Sequence, residues 1–122
     1  MDYALTIIEK PTYLHFIVTG KNSKKTILGY AEEIVRKCTA RKKFRVLIEE
    51  RLDGPRLPII DVFELVLNVT GRHIGLFKVI AYVDVNAVDN SMKFAEDASV
   101  NRAFPLAVFS NVADAEKWLM NR

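Results

Sequence analysis

Two short runs constrain this 122-residue chain more than any other feature: FRVLIE at residues 44–49 and LFKVIAYVDV at 76–85. Both are rich in β-branched and aliphatic side chains, and the second is apolar almost without interruption. A strand with one wet face alternates apolar and polar residues. A nearly continuous apolar run is how a strand reads when both faces of its sheet are covered. Segments of helical period lie between these runs, so helices are expected to cross from one parallel strand to the next.

Further elements follow from the same periodicities. Residues 3–19 read as a hairpin, ALTIIE and YLHFIVT, turning at Lys10-Pro11-Thr12, where proline cannot donate to a ladder. Its second strand places Leu14, Phe16 and Val18 on one face and Tyr13, His15 and Ile17 on the other. Ser23 is a suitable N-cap for a helix over about 23–41, with Ile27, Ala31, Ile34 and Cys38 as its apolar stripe. Pro58 suits the first turn of a second helix over 59–69. A third helix is expected from Asp89 or Asn90 to about Arg102, a short strand at Phe104–Phe109, and a last helix capped by Asn111 with Asp114 in its first turn. The order is β-β-α-β-α-β-α-β-α. The expected fold is a single α/β domain over 1–122, with a mixed, mainly parallel sheet of about five strands.

The second helix carries the sharpest functional signal. At ~100° per residue, Asp61, Glu64 and Asn68 fall within roughly 60° of one another, and the remaining positions cover an arc of about 220°. A helix on a small domain needs an apolar stripe little wider than about 100°. The surplus marks Ile59, Ile60, Val62, Phe63, Val66 and Leu67 as a surface for a partner or a second copy.

Composition removes other classes. No apolar run reaches the ~18 residues of a membrane span, and MDYALTIIEK lacks the build of a signal peptide, so a cytoplasmic protein is expected. The lone Cys38 excludes an internal disulfide and lies on a helix's apolar side, where a packed thiol is expected rather than a nucleophile. His15 and His73 are too few and too scattered for a metal site, and neither a G-x-x-x-x-G-K loop nor a G-x-S-x-G elbow occurs. The net charge of +3 is concentrated in RKCTARKKFR, residues 36–45, which reads more simply as a solvated helix end than as a phosphate or lipid patch. No nucleic-acid motif is present, and no membrane association is expected beyond a peripheral one.

A ligand site in an open α/β sheet would lie outside the carboxyl ends of the strands. There the sequence offers Glu49, Glu50 and Asp53 after one inner strand, Asp84 and Asp89 after another, and Arg51 and Arg56 to pair with them or to hold an anion. Acids and arginines without a nucleophile or base do not make an enzyme. A loop organised by its own ion pairs is the simpler expectation, with no metal and no cofactor.

The opening hairpin, the segment FRVLIEERLDGPRLPIIDVF and the C-terminal RAFPLAVFSNVADAEKWL together resemble the STAS domain, and more narrowly the SpoIIAA-like family of small bacterial proteins. Phe109, Ala115, Trp118 and Leu119 fill that family's closing F-x-x-x-x-x-A-x-x-W-L pattern. The resemblance implies a non-enzymatic regulatory module that binds proteins, here expected as a homodimer. The alternative it implies is a carrier of a small apolar or anionic ligand, because SpoIIAA-like proteins share their layout with lipid-transfer carriers. One departure matters. STAS anti-sigma-factor antagonists carry a phosphorylatable serine in the loop matching Arg51-Leu52-Asp53-Gly54-Pro55-Arg56-Leu57-Pro58, which holds no hydroxyl residue. The phosphate switch at a helix start is therefore not expected.

Overall fold

A computed structural model describes residues 3–55, 57–73, 75–85 and 105–122; in the second helix the side chains at 59, 62, 63, 66, 70 and 73 also fall outside that description. The elements are β1 (Tyr3–Glu9), β2 (Leu14–Lys21), α1 (Lys24–Arg41), β3 (Arg45–Asp53), α2 (Ile59–His73), β4 (Val79–Asp84), β5 (Leu106–Phe109) and α3 (Val112–Met120). The fold is α/β. One five-stranded sheet runs β1-β2-β3-β4-β5, with β1 antiparallel to β2 and every other pair parallel. The helix expected between Asp89 and Arg102 lies outside the described residues.

Strand alternation sorts the core into two layers. Leu14, Phe16, Val18, Val46, Ile48 and Ile80 point to one face and pack against Tyr30, Ile34 and Cys38 of α1, with Val69 of α2 at the margin. Leu47, Ala81 and Val83 point to the other, where Ala115 and Leu119 of α3 close over them. The inner strands are covered on both sides, which explains their unbroken apolar reading.

Local chemistry sets the helix ends. Ser23, in extended conformation, accepts the Thr26 N–H at the start of α1, and Asn111 accepts that of Asp114 at the start of α3. Lys42 closes α1 in the left-handed region, its N–H bonded back to the last turn. The basic cluster is partly structural: Arg41 and Lys43 pair with Glu9, and Arg45 donates to the Leu119 carbonyl at 2.7 Å.

Several boundaries differ from the periodicity. β3 continues to Asp53 rather than ending at Glu49, because β2 also runs on to Lys21 and keeps its pairing as far as Lys21–Asp53. The Asn22 N–H then bonds the Asp53 carbonyl at 2.7 Å. Glu50, Arg51 and Asp53 are thus strand residues, not loop residues. Helix α2 runs past Gly71 to His73, and Arg72 in its last turn bonds Asn68 within the helix and Glu32 of α1. Strand β4 is shorter than the run that suggested it, starting at Val79.

Leu119 is fully buried and Met120 beside it is 56 % exposed. Equilibrium urea unfolding should show Leu119→Ala losing about 2–5 kcal/mol, and Met120→Ala changing stability by less than about 0.5 kcal/mol.

Candidate functional site

The carboxyl ends of β3 and β4 hold two polar clusters, one on each face of the sheet. Glu50 and Asp84 are neighbours in the parallel register and project to the face covered by α1 and α2. Both are buried, at 2 % and 1 % exposure. An ionised carboxylate so placed would be costly without donors. Two tyrosines supply them: the hydroxyls of Tyr30, from α1, and Tyr82, from β4, both donate to Glu50 Oε2 and lie 2.8 Å from each other. Burial first, and then the Glu50 charge, push both phenols well above the ordinary tyrosine range. The cluster is a locked set of neutral hydroxyls around an acid.

Glu49 points to the opposite face. Its Oε1 meets His15 Nε2 at 2.9 Å and its Oε2 accepts from Arg51 Nε. A carboxylate can only accept, so Nε2 carries the imidazole proton. His15 and Glu49 are buried, whereas Arg51 is half exposed. Arg51 therefore sits across the sheet from Glu50 and Asp84.

Of the seven residues suggested for a ligand locus, the described ones are thus divided between two faces, with Glu49 beside Arg51 on one of them. Glu50 and Asp84 adjoin; Arg51 is on the other face; Asp53 is exposed at the strand end; Arg56 and Asp89 lie outside the described residues. The turn after β3 is held by Gly54 at φ 109°, a conformation that favours glycine, and by Asn22, whose Nδ2 donates to the Pro55 carbonyl at 3.1 Å. Asn22 is itself buried. What this turn visibly holds is its own backbone.

Sequence reasoning missed Tyr30, Tyr82 and Asn22. Tyr30 was legible as the middle of a buried stripe, Thr26, Tyr30, Ile34 and Cys38, in which a polar-tipped aromatic needs a partner. Tyr82 stands two residues before Asp84 and so shares its face. No feature of GKNS marks Asn22 as buried.

Metal and nucleophilic chemistry find little footing among the described residues. No three His, Cys, Asp or Glu side chains there are grouped to hold a metal ion. The Cys38 thiol is buried, and desolvation pushes its pKa up to about 12, so it is neutral at ordinary pH.

The surface expected to meet a partner falls only in part within the described residues. On α2, Ile60 is 61 % exposed and Leu67 is 37 % exposed, seven residues apart and so on one helical face. Glu64 lies between them and pairs with Lys24 of α1; Arg72, a turn further on, pairs with Glu32. Leu65 is buried. The side chains of Ile59, Val62, Phe63 and Val66 lie outside the described residues.

No protein-family model matches this chain, and no curated protein matches it as a relative. Among the described residues, no helix is long and apolar enough to cross a membrane.

All four tyrosines are shifted upward, Tyr3 and Tyr13 to about 12 by burial and by bonds to Glu33 and Glu116. The unfolded chain releases these protons near pH 10, where the folded chain retains them. The linked stability is therefore complete below about pH 10 and declines as pH rises towards 12 and above. Phenolate absorbance should stay low in native protein at about pH 10.5 and rise in urea at the same pH to roughly three tyrosines' worth, because a phenol of pKa about 10 is then about three-quarters ionised. Tyr30→Phe should destabilise by about 1–3 kcal/mol in urea unfolding, since Glu50 loses a buried donor.

Proposed function

We propose that this chain is a non-enzymatic, STAS-like regulatory module of the cytoplasm that docks a partner protein through the outer face of α2. The observation that carries this reading is the exposure of Ile60 and Leu67 on one face of a helix that its own domain already contacts through Val69. An apolar pair two turns apart, flanked by the Lys24–Glu64 and Arg72–Glu32 ion pairs, suits a narrow apolar segment with a polar rim. The strand order and the C-terminal Phe109–Trp118 packing, with ring centroids 5.5 Å apart, accord with the resemblance to SpoIIAA-like proteins. Residues 51–58 contain no hydroxyl side chain, so docking on this reading is not governed by a phosphate there.

On this reading the buried acid and tyrosine cluster holds the fold together and performs no chemistry. Its hydroxyls are committed to Glu50, and their raised pKa values hold them neutral. A general base or a phenolate nucleophile needs the reverse tuning.

The test is quantitative co-purification of tagged wild type against the double variant Ile60→Lys, Leu67→Lys, with native mass spectrometry of the untreated protein. A stoichiometric protein partner, lost from the variant while its circular dichroism stays unchanged, is expected. A partner retained by the variant would overturn this reading. A co-purified lipid in place of a protein would replace it with the carrier function.

A further inference from the structure

The first strand of the sheet ends in an open edge. β1 pairs with β2 on one side and stands first in the strand order, and no described backbone group bonds it from the other side. Such an edge presents a row of N–H and C=O groups that another strand can complete. Proteins usually blunt it with lysine, proline, a bulge or an inward charge. Tyr3-Ala4-Leu5-Thr6-Ile7-Ile8-Glu9 has none of these in its interior, and its register with β2 is regular over all seven residues. Its one charge, Glu9, is terminal and is neutralised within the subunit by Arg41 and Lys43, 3.4 and 3.0 Å away. The opposite edge strand, β5, is only four residues long.

We propose that two copies of this chain pair β1 to β1, antiparallel, about a two-fold axis through Thr6, joining two five-stranded sheets into one. The occupant follows from the strand's complementarity to itself. With Thr6 on the axis, all seven residues pair: Thr6 with the partner's Thr6, Leu5 with the partner's Ile7, Ala4 with the partner's Ile8, and Tyr3 with the partner's Glu9. Every pair joins residues of one face; Leu5 meets Ile7, Ala4 meets Ile8, and no like charges are opposed. Leu5 and Ile7 belong to the face under the α1 layer, and Ala4, Thr6 and Ile8 to the exposed face. Because paired residues share a face, both α1 helices remain on one side, as an isologous dimer of layered domains requires. Moving the axis to Ile7 would set Glu9 against the partly buried Leu5 and leave Tyr3 and Ala4 without strand partners. The shoulder of α1 beside the edge carries both signs: Glu33 accepts from the Tyr3 hydroxyl, and the charge of Arg36 acts on the same ring. A second copy therefore does not meet a field of one sign.

This surface is separate from the α2 face, and the experiment separates the two. Sedimentation velocity across a concentration series compares wild type with Thr6→Lys, Thr6→Glu, an equal mixture of those two, and Leu67→Lys. Thr6 is exposed, so its variants should fold as wild type does by circular dichroism. Wild type should dimerise with concentration. Each Thr6 variant alone should weaken the dimer at least about tenfold, because like charges face each other across the axis. The mixture should recover it, which misfolded variants could not do. Leu67→Lys should leave it intact. A wild-type monomer at about 100 μM, Thr6 variants that dimerise normally, a mixture that does not recover, or a dimer broken by Leu67→Lys would each overturn the proposal.

Discussion

The carboxyl group of Glu50 is where the layers of this protein are tied together. It sits in the middle of a sheet, is almost fully removed from water and receives hydroxyls from a helix and from the next strand. Burial of a charge without donors costs several kcal/mol, so the site is tolerable only while α1 holds Tyr30 against β3 and β4 holds Tyr82 in register. The bonds are directional. They fix the position of α1 along the sheet in a way that apolar contacts, which can slide, do not. The rest of that layer, from Phe16 to Ile80, packs around this polar anchor.

A second acid, one residue earlier, faces the other way. Glu49 spans His15 on β2 and the guanidinium of Arg51, so adjacent glutamates stitch β3 to different neighbours on opposite faces of the same sheet. Strand alternation makes this unavoidable once the strand extends beyond Glu49. The pair EE in the sequence thus divides between two environments and does not form one acidic patch.

The architecture was largely legible because it rests on periodicity and capping. The hairpin faces, the Ser23 and Asn111 caps, the inner positions of the last helix and the packed Cys38 all follow from spacing and from chemistry within a turn. The site was much less so. Acidic and basic letters between a β-prone run and a helical one looked like a loop, because nothing local shows that β2 is long enough to keep β3 paired through Asp53. Arg51 was assigned to the same crevice as Glu50 for that reason, and the extended strand sends it to the other side. The tyrosines were passed over because each sits in an apolar pattern that their rings satisfy; only their hydroxyl partners, 20 and 32 residues away in the chain, reveal the second role.

Strand order here is chain order: each strand lies beside the one made just before it. As the polypeptide emerges from a ribosome, every new strand finds its partner already synthesised, and none has to insert between two that are already joined. Only the hairpin closes locally; each parallel pairing, such as Leu14 with Val46, closes a loop of roughly 30 residues, so the sheet grows in one direction from a fast hairpin through slower closures. The hairpin that begins this growth also presents the open edge, so nascent chains translated side by side on one message would expose matching strands before their own sheets are complete.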